Sequence, residues 1–437
     1  MTLLVISPDY ASHLFPLATL ATAWADAGER VVVATGPATD ALVRGFGFER
    51  VNLQLGRGSN PGVIRAEDQP TGEDDALRGF FAATRVGAVE TLAFQAGARG
   101  DDLLWDPLNA ARAVQRVLDE VKPTHVVVDH LAFSARLALT ASGVRHADVV
   151  LGHPSALTVG DEVYGVPPAW PRRFQPDAGA LADLRQLCER VRGRFTGEWN
   201  EALAALDPGA SPSVDAFAET GDVLLLNYPS ALHPPARTRL LGPHAFLGSA
   251  VRDEAPDAEV DAWLAASDTP VVYVSLGSFL SVRGDLLGRI AEALRGIDVR
   301  VALASGSTPP SELGPIPQSW LVRAVLPQVT LLRHAVLAVS HGGNNSVTEA
   351  LTAGVPLLLV PMSTDQFAGA AALEDAGFGE AFDPNRVTAD ELREAAVRLL
   401  DLPPDAAARL ASLADDLTRT PGARRARAAL LADGSRS

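Results

Sequence analysis

The stretch HGGNNSVTEALTAGVP, residues 341–356, sets one histidine, two glycines, two asparagines, a serine and a glutamate between the apolar run VLAVS (336–340) and a helical pattern. Gly342 and Gly343 allow a tight turn and let a ligand approach the backbone. A helix starting near Asn345 or Ser346 and stopping at Gly354, with Pro356 beyond, would carry free N–H groups and partial positive charge at its start. That is a place for a phosphate. The same residues also support a plainer reading. Ser346-Val-Thr-Glu349 has the spacing of a capping box, which satisfies a helix end by itself, and His341 is equally suited to a buried, hydrogen-bonded position. The flanks weigh toward a ligand. Pro327-Gln328 lies ahead of the segment, and Asp365-Gln366 follows the next apolar run, PLLLVP (356–361), where two polar residues have no part in a core.

His13 offers a different chemistry. It follows the apolar run LLVIS (3–7), in what reads as a loop before a helix. A neutral imidazole has the pKa to take a proton from a hydroxyl. A carboxylate on the second ring nitrogen would fix the tautomer and stabilise the imidazolium. Asp129, which closes the run HVVVD (125–129), is placed to supply it, and is equally placed to cap the helix that follows. His153, after DVVLG (148–152), reads as structural or as a second group facing the same side.

These residues all follow short apolar, β-branched runs. LLVIS, RVVVAT (30–35), HVVVD, DVVLG and DVLLLN (222–227) form one series; PVVYVSLGS (270–278), VRVALAS (299–305), WLVRAVL (320–326), VLAVS and PLLLVP form another. Continuous apolar runs suit strands buried on both faces, and their alternation with helices predicts parallel, doubly wound sheets. The expected plan is an N-terminal domain over 1–235, a Pro- and Gly-rich linker over 236–260, a C-terminal domain over 261–420, and a terminal helix over 421–437 packing back on the first domain. Two α/β halves leave a cleft between them, lined by the C-terminal ends of their strands. Residues 55–78 read as a long polar loop. Residues 179–206 read as a helix whose apolar face serves either the core or the wall of a pocket.

Composition narrows the partners. Over 437 residues the formal net charge is −16, which opposes a nucleic-acid partner. Cys188 is the sole cysteine, so neither an internal disulfide nor a thiolate metal cluster is possible. No stretch approaches the roughly 20 apolar residues of a membrane helix, and MTLLVISPDY lacks the form of a secretory signal. The expectation is a soluble cytoplasmic protein, monomer or homodimer.

The 42 residues from Val325 to Gln366 resemble the nucleotide-sugar signature of glycosyltransferase family 1, enzymes of the GT-B fold that include plant flavonoid and bacterial natural-product glycosyltransferases. SLGS (275–278) resembles the family's donor-side loop. SHLFPLATLA (12–21) resembles the loop that carries its catalytic histidine, and VVDHLAFSARLA the region that carries its acid. The resemblance implies a role for each matching residue. Gln328 and the backbone near Leu326 would meet the base, and Glu349 the ribose hydroxyls. His341, Gly343, Asn345, Ser346 and Ser278, with Gly342 shaping the turn, would hold the diphosphate. Asp365 and Gln366 would bind sugar hydroxyls. His13 would be the general base and Asp129 its partner. Val325 and Asn344 depart from the plant pattern, where each position holds Trp.

The implied activity is an inverting, metal-independent transfer of a sugar from a UDP- or dTDP-sugar to a hydroxyl of a small natural product, with no tightly bound cofactor. No Asp-x-Asp follows a strand, as a Mg²⁺-using enzyme of the other main fold would show. The alternatives are a nucleotide-sugar epimerase or hydrolase of the same fold, and a non-catalytic sugar-nucleotide-binding scaffold.

Overall fold

The computed structural model describes residues 1–62, 73–99 and 103–434, with backbone only at 73, 74, 99, 278, 279, 433 and 434. Strands β1 (Thr2–Ile6), β2 (Arg30–Thr35), β3 (Glu49–Asn52), β4 (His125–Asp129), β5 (Ala147–Val150), β6 (Val223–Leu226) and β7 (His244–Phe246) form one sheet, in the order β3-β2-β1-β4-β5-β6-β7. Strands β8 (Val271–Ser275), β9 (Arg300–Ala304), β10 (Leu321–Arg323), β11 (Ala335–Ser340), β12 (Leu357–Leu359) and β13 (Gly379–Ala381) form the second, in the order β10-β9-β8-β11-β12-β13. Every pairing is parallel. The central strands are buried along nearly their whole length, as in β5, β6, β8 and β9. Helices cover both faces, so neither face can be polar and the runs are continuous rather than alternating.

The strand order reverses once in each sheet, between β1 and β4 and between β8 and β11. The crossovers on either side of such a point run to opposite faces. The loops leaving the two neighbouring strands therefore part and open a crevice. Register aligns the paired ends: Ile6 lies beside Val128, and Ser340 beside Ser275.

Four segments differ from the sequence expectation. The stretch 236–260 is not a bare linker, because β7 within it adds a seventh strand to the first sheet, pairing Leu224 with His244 and Leu226 with Phe246. β7 has three residues, all half-buried, so it shows no apolar run. A helix, Glu73–Val86, begins inside the stretch read as a loop and runs beyond it. Leu77 and Phe81 are buried on it, and Phe80 packs against the core of the C-terminal domain. The rest of that loop, 63–72, lies outside the described residues. Edge strands β3 and β13 went unread for the same reason as β7: ERVN is half exposed and polar, and GEA is short with little apolar content.

The helix Gly422–Gly434 returns to the first domain. Ala426 and Leu430 join the cluster that holds Leu14, Leu17 and Trp24 of the helix Ala11–Ala25. Arg427 pairs with Glu29 at 2.7 Å. The crossing is close, since a β-carbon at Gly422 would overlap the carbonyl of Ser249. The helix Ala178–Leu206 serves the core: Leu184, Cys188, Val191, Phe195 and Trp199 all enter one cluster.

Truncating Leu430 removes a packed side chain from the first domain's core. Leu430→Ala should lower stability by about 2–3 kcal/mol, read as a fall in the urea midpoint at unchanged slope; an unchanged midpoint would show that the terminal helix contributes nothing there.

Candidate active site

His13 and Asp129 meet at the first switch point. His13 sits in the first turn of the helix Ala11–Ala25, not in a loop as its sequence suggested. The helix starts early because Ala11 N donates to the carbonyl of the fully buried Asn60 at 2.7 Å, a partner 49 positions away that local propensity cannot anticipate. Asp129 ends β4, the strand beside β1. Its Oδ2 lies 2.6 Å from His13 Nδ1, and its Oδ1 accepts from Leu131 N at 2.8 Å. The carboxylate is 1% exposed and the imidazole 27%. Burial disfavours the imidazolium, yet the charge and hydrogen bond of Asp129, with Asp365 further off, outweigh it and raise the His13 pKa above 6.5.

His13 and Asp129 line a cavity of about 120 Å³. Leu92, Leu131, Val150, Leu151, Tyr164 and Val166 give it apolar walls. Asp365, from the C-terminal domain, lines the same cavity as His13 and Asp129, so the pocket spans the domain boundary. His153 lies outside the lining. Its ring contacts Ser155 and packs edge-on to Tyr228 with centroids 4.7 Å apart, and burial pushes its pKa down to about 3. His130 and Gln95, to which the sequence reading gave no role at the site, do line the pocket. His130 Nδ1 is held by the buried Asp148, which also pairs with Arg136 at 2.9 Å.

His341 follows β11 at the second switch point. Its ring is wedged between two glycines. A β-carbon at Gly277 would come within 2.6 Å of Cε1, and one at Gly343 would overlap Nε2. Gly277 and Gly342 also have φ of +73° and +87°, conformations that disfavour any side chain. Burial alone lowers the His341 pKa to about 4, so the imidazole is neutral, and Nδ1 has no partner among the described residues.

The helix after it runs Asn344–Thr352 with Gly343 as N-cap and no side-chain cap. It starts earlier than the capping-box reading requires. Ser346 thus lies inside the first turn, where its hydroxyl reaches Gln328 Oε1 at 3.4 Å. Glu349 does not reach back either: its oxygens take Arg252 at 2.7 Å and the Gln328 amide at 2.5 Å. Burial raises the Glu349 pKa against the opposing pull of Arg252 and Gln328. Leu326 is buried in a core cluster of the C-terminal domain.

Three of the residues expected at a ligand have protein partners. Asn345 Nδ2 donates to the Ser12 carbonyl at 2.9 Å. Asp365 Oδ2 accepts from His153 N, and its Oδ1 from the Thr364 hydroxyl at 2.8 Å. Gln366 Oε1 accepts from the amides of Met362 and Ser363, so its side chain closes the loop after β12. Ser278 lies on the helix Gly277–Leu280, and its side chain is outside the described residues. Asn344, read from sequence only as a departure from a pattern, is 7% exposed and donates to the carbonyls of Leu151 and Asn227, both at 2.8 Å. Nothing local marks it, because both acceptors belong to the other domain.

Two parallel Rossmann-like domains with switch points facing one cleft define the GT-B fold. Solved structures agree over the whole chain. The glycotransferase of kitacinnamycin matches with a TM-score of 0.68 at 22% identity, covering 99% of this chain and 98% of that one. The glycosyltransferase VinC, in complex with DTDP, matches with a TM-score of 0.67 at 20% identity over 100% of both. Sequence relationship is carried by the C-terminal half, where residues 223–424 match the UDP-glucoronosyl and UDP-glucosyl transferase family. NDP-glycosyltransferase YjiC of Bacillus licheniformis is 28% identical over 244 residues, 56% of this chain and 61% of that protein. Oleandomycin glycosyltransferase of Streptomyces antibioticus is 32% identical over 222 residues, 50% of each. The matches thus span between half and three-fifths of the length of these two relatives.

With Asp129→Asn, burial is left as the dominant influence on His13. Its imidazole midpoint should fall from above 6.5 to below it, followed by NMR of the ring Cε1 proton; a midpoint that stays above 6.5 would remove Asp129 as the cause.

Proposed function

We propose that the protein is an inverting glycosyltransferase that moves a sugar from a UDP- or dTDP-sugar to a hydroxyl of a small natural product, without a metal ion. One observation carries this reading: the His13–Asp129 pair opens on the same cavity as Asp365 of the donor segment. The apolar lining suits a hydrophobic aglycone with a few polar groups. The relatives lend support by what they are named for, oleandomycin and kitacinnamycin among natural products, and DTDP as the nucleotide held by VinC. Among the described residues no helix is long and apolar enough to cross a membrane, and we place the enzyme in the cytoplasm as a monomer or homodimer.

In this reading the acceptor hydroxyl oxygen attacks the anomeric carbon from the face opposite the diphosphate. Its proton passes to His13 Nε2, while Asp129 holds Nδ1–H and stabilises the imidazolium that forms. The bond from the anomeric carbon to the diphosphate oxygen breaks with its electrons, and backside attack inverts the centre. The departing charge is met by the N-terminus of the helix Asn344–Thr352 and by an N–H of the neutral His341. Ser278 and Ser346 complete that end, Gln328 and Leu326 take the base, Glu349 the ribose, and Asp365 and Gln366 the sugar. Arg252 neutralises the Glu349 carboxylate across the domain boundary, where it also stands 5.1 Å over the Phe15 ring.

Mass-spectrometric screening of UDP- and dTDP-sugars against a panel of aglycones identifies a transferring pair; no product from any pair would sink the enzyme reading. His13→Ala should then cut kcat by about 10²- to 10⁴-fold while calorimetry shows unchanged nucleotide affinity. The wild-type kcat/KM should rise with pH, because the base must be neutral. Its half-maximal point should lie above pH 6.5, since the folded site raises the His13 pKa. A profile flat from pH 5 to 8 would exclude His13 as the base.

A further inference from the structure

Ser12, the residue before His13, has an unusual carbonyl. In an α-helix each carbonyl accepts the N–H four residues on. For Ser12 that residue is Pro16, which has no N–H. Pro16 is too deep in the helix Ala11–Ala25 for this to be free. Leu14 N already bonds to the Tyr10 carbonyl at 2.9 Å, so intrahelical bonding has begun two residues earlier. An interior proline is costly to a helix, and a shielded carbonyl without a donor adds to that cost.

The vacant acceptor is filled from the other domain by the 2.9 Å bond from Asn345 Nδ2. Asn345 is the second residue of the helix Asn344–Thr352, whose N-terminus lies next to His341 and the glycine turn. Its Oδ1 receives Asn227 Nδ2 at 3.4 Å, and Asn344 beside it is bound to the carbonyls of Leu151 and Asn227. The start of the donor-domain helix is therefore fastened to three carbonyls that follow the strands of the first sheet. One of the three adjoins His13.

We propose that Asn345 is a positioning residue that sets the backbone of His13 against the donor site, and that Pro16, by removing the competing helical donor, leaves the Ser12 carbonyl oriented toward Asn345. The His13 ring is then fixed from its own domain, by Asp129, and its backbone from the other. This inference rests on the glycosyltransferase reading with His13 as base. It adds a coupling between the domains that the reading does not require.

The discriminating variant is Pro16→Ala, which supplies an N–H to Ser12 and relieves the helix. A packing role for Pro16 predicts lower melting temperature and lower activity together. The positioning role predicts a melting temperature equal to or above wild type, with kcat reduced about tenfold. Nucleotide affinity, titrated with UDP and dTDP, should stay within about twofold, and the pH midpoint should not move, because Asp129 still holds the ring. Asn345→Ala should lower kcat by a similar factor, and the double variant should be no slower than the slower single one, since both break one interaction. A crystal structure of Pro16→Ala should show the new backbone N–H donating to the Ser12 carbonyl. Wild-type kcat in Pro16→Ala, a fall in kcat accompanied by a fall in melting temperature, or additive losses in the double variant would each overturn the proposal. If His13→Ala keeps full transfer activity, the reading beneath it fails instead, and the two failures are told apart by that control.

Discussion

The structure turns on one geometric constraint: in a parallel sheet every strand points its C-terminal end the same way, and the crevice for chemistry opens where the strand order reverses. Here that happens twice, and the two crevices share one cleft. His13 and Asp129 leave β1 and β4, the neighbours at the first reversal. Gly277 and His341 leave β8 and β11, the neighbours at the second, and are in contact. Each pair is distant in sequence and adjacent only because hydrogen-bond register aligns the strand ends.

The two histidines show how the same side chain is set for opposite tasks by its surroundings. Both lose hydration. His13 has a buried carboxylate at 2.6 Å, and the ion-pair attraction carries its pKa upward. Among the described residues His341 has no charged partner, only two glycines pressed against its ring, and burial carries its pKa down to about 4. The first setting favours the protonated ring, the second the neutral one. The buried Glu349 follows the same logic with Arg252 and Gln328 on its two oxygens.

At the site the domains are joined by directional bonds, and beside it Phe367 packs against Trp170 and Phe174 of the first domain. Asn344 and Asn345 donate to backbone carbonyls of the first domain, Asp365 accepts from a backbone N–H of it, and Arg283 reaches the Thr84 carbonyl at 2.9 Å. Such contacts are short and directional, so they fix sharply how the two sides of the cleft face each other. The terminal helix works differently. Ala426 and Leu430 bury apolar surface in the first domain's core and tie the chain's end to its start.

What the sequence determined by itself follows from local physics. Continuous β-branched runs marked ten of the thirteen strands, since burial on both faces leaves no polar alternation, and turn glycines and strand-end polar residues marked loops that meet at the cleft. The short strands β3, β7 and β13 escaped because edge positions require neither length nor apolarity. The capping box at Ser346 and Glu349 had the right spacing, yet the helix began at Asn344 and gave both side chains to Gln328 and Arg252. Only the tertiary structure decided such partnerships: Asn60 starting the helix of His13, Asn344 on Leu151 and Asn227, Pro16 freeing Ser12 for Asn345. Hydrogen bonds are directional and short, and which donor finds which acceptor depends on positions brought together by folding across more than 300 residues in the last case.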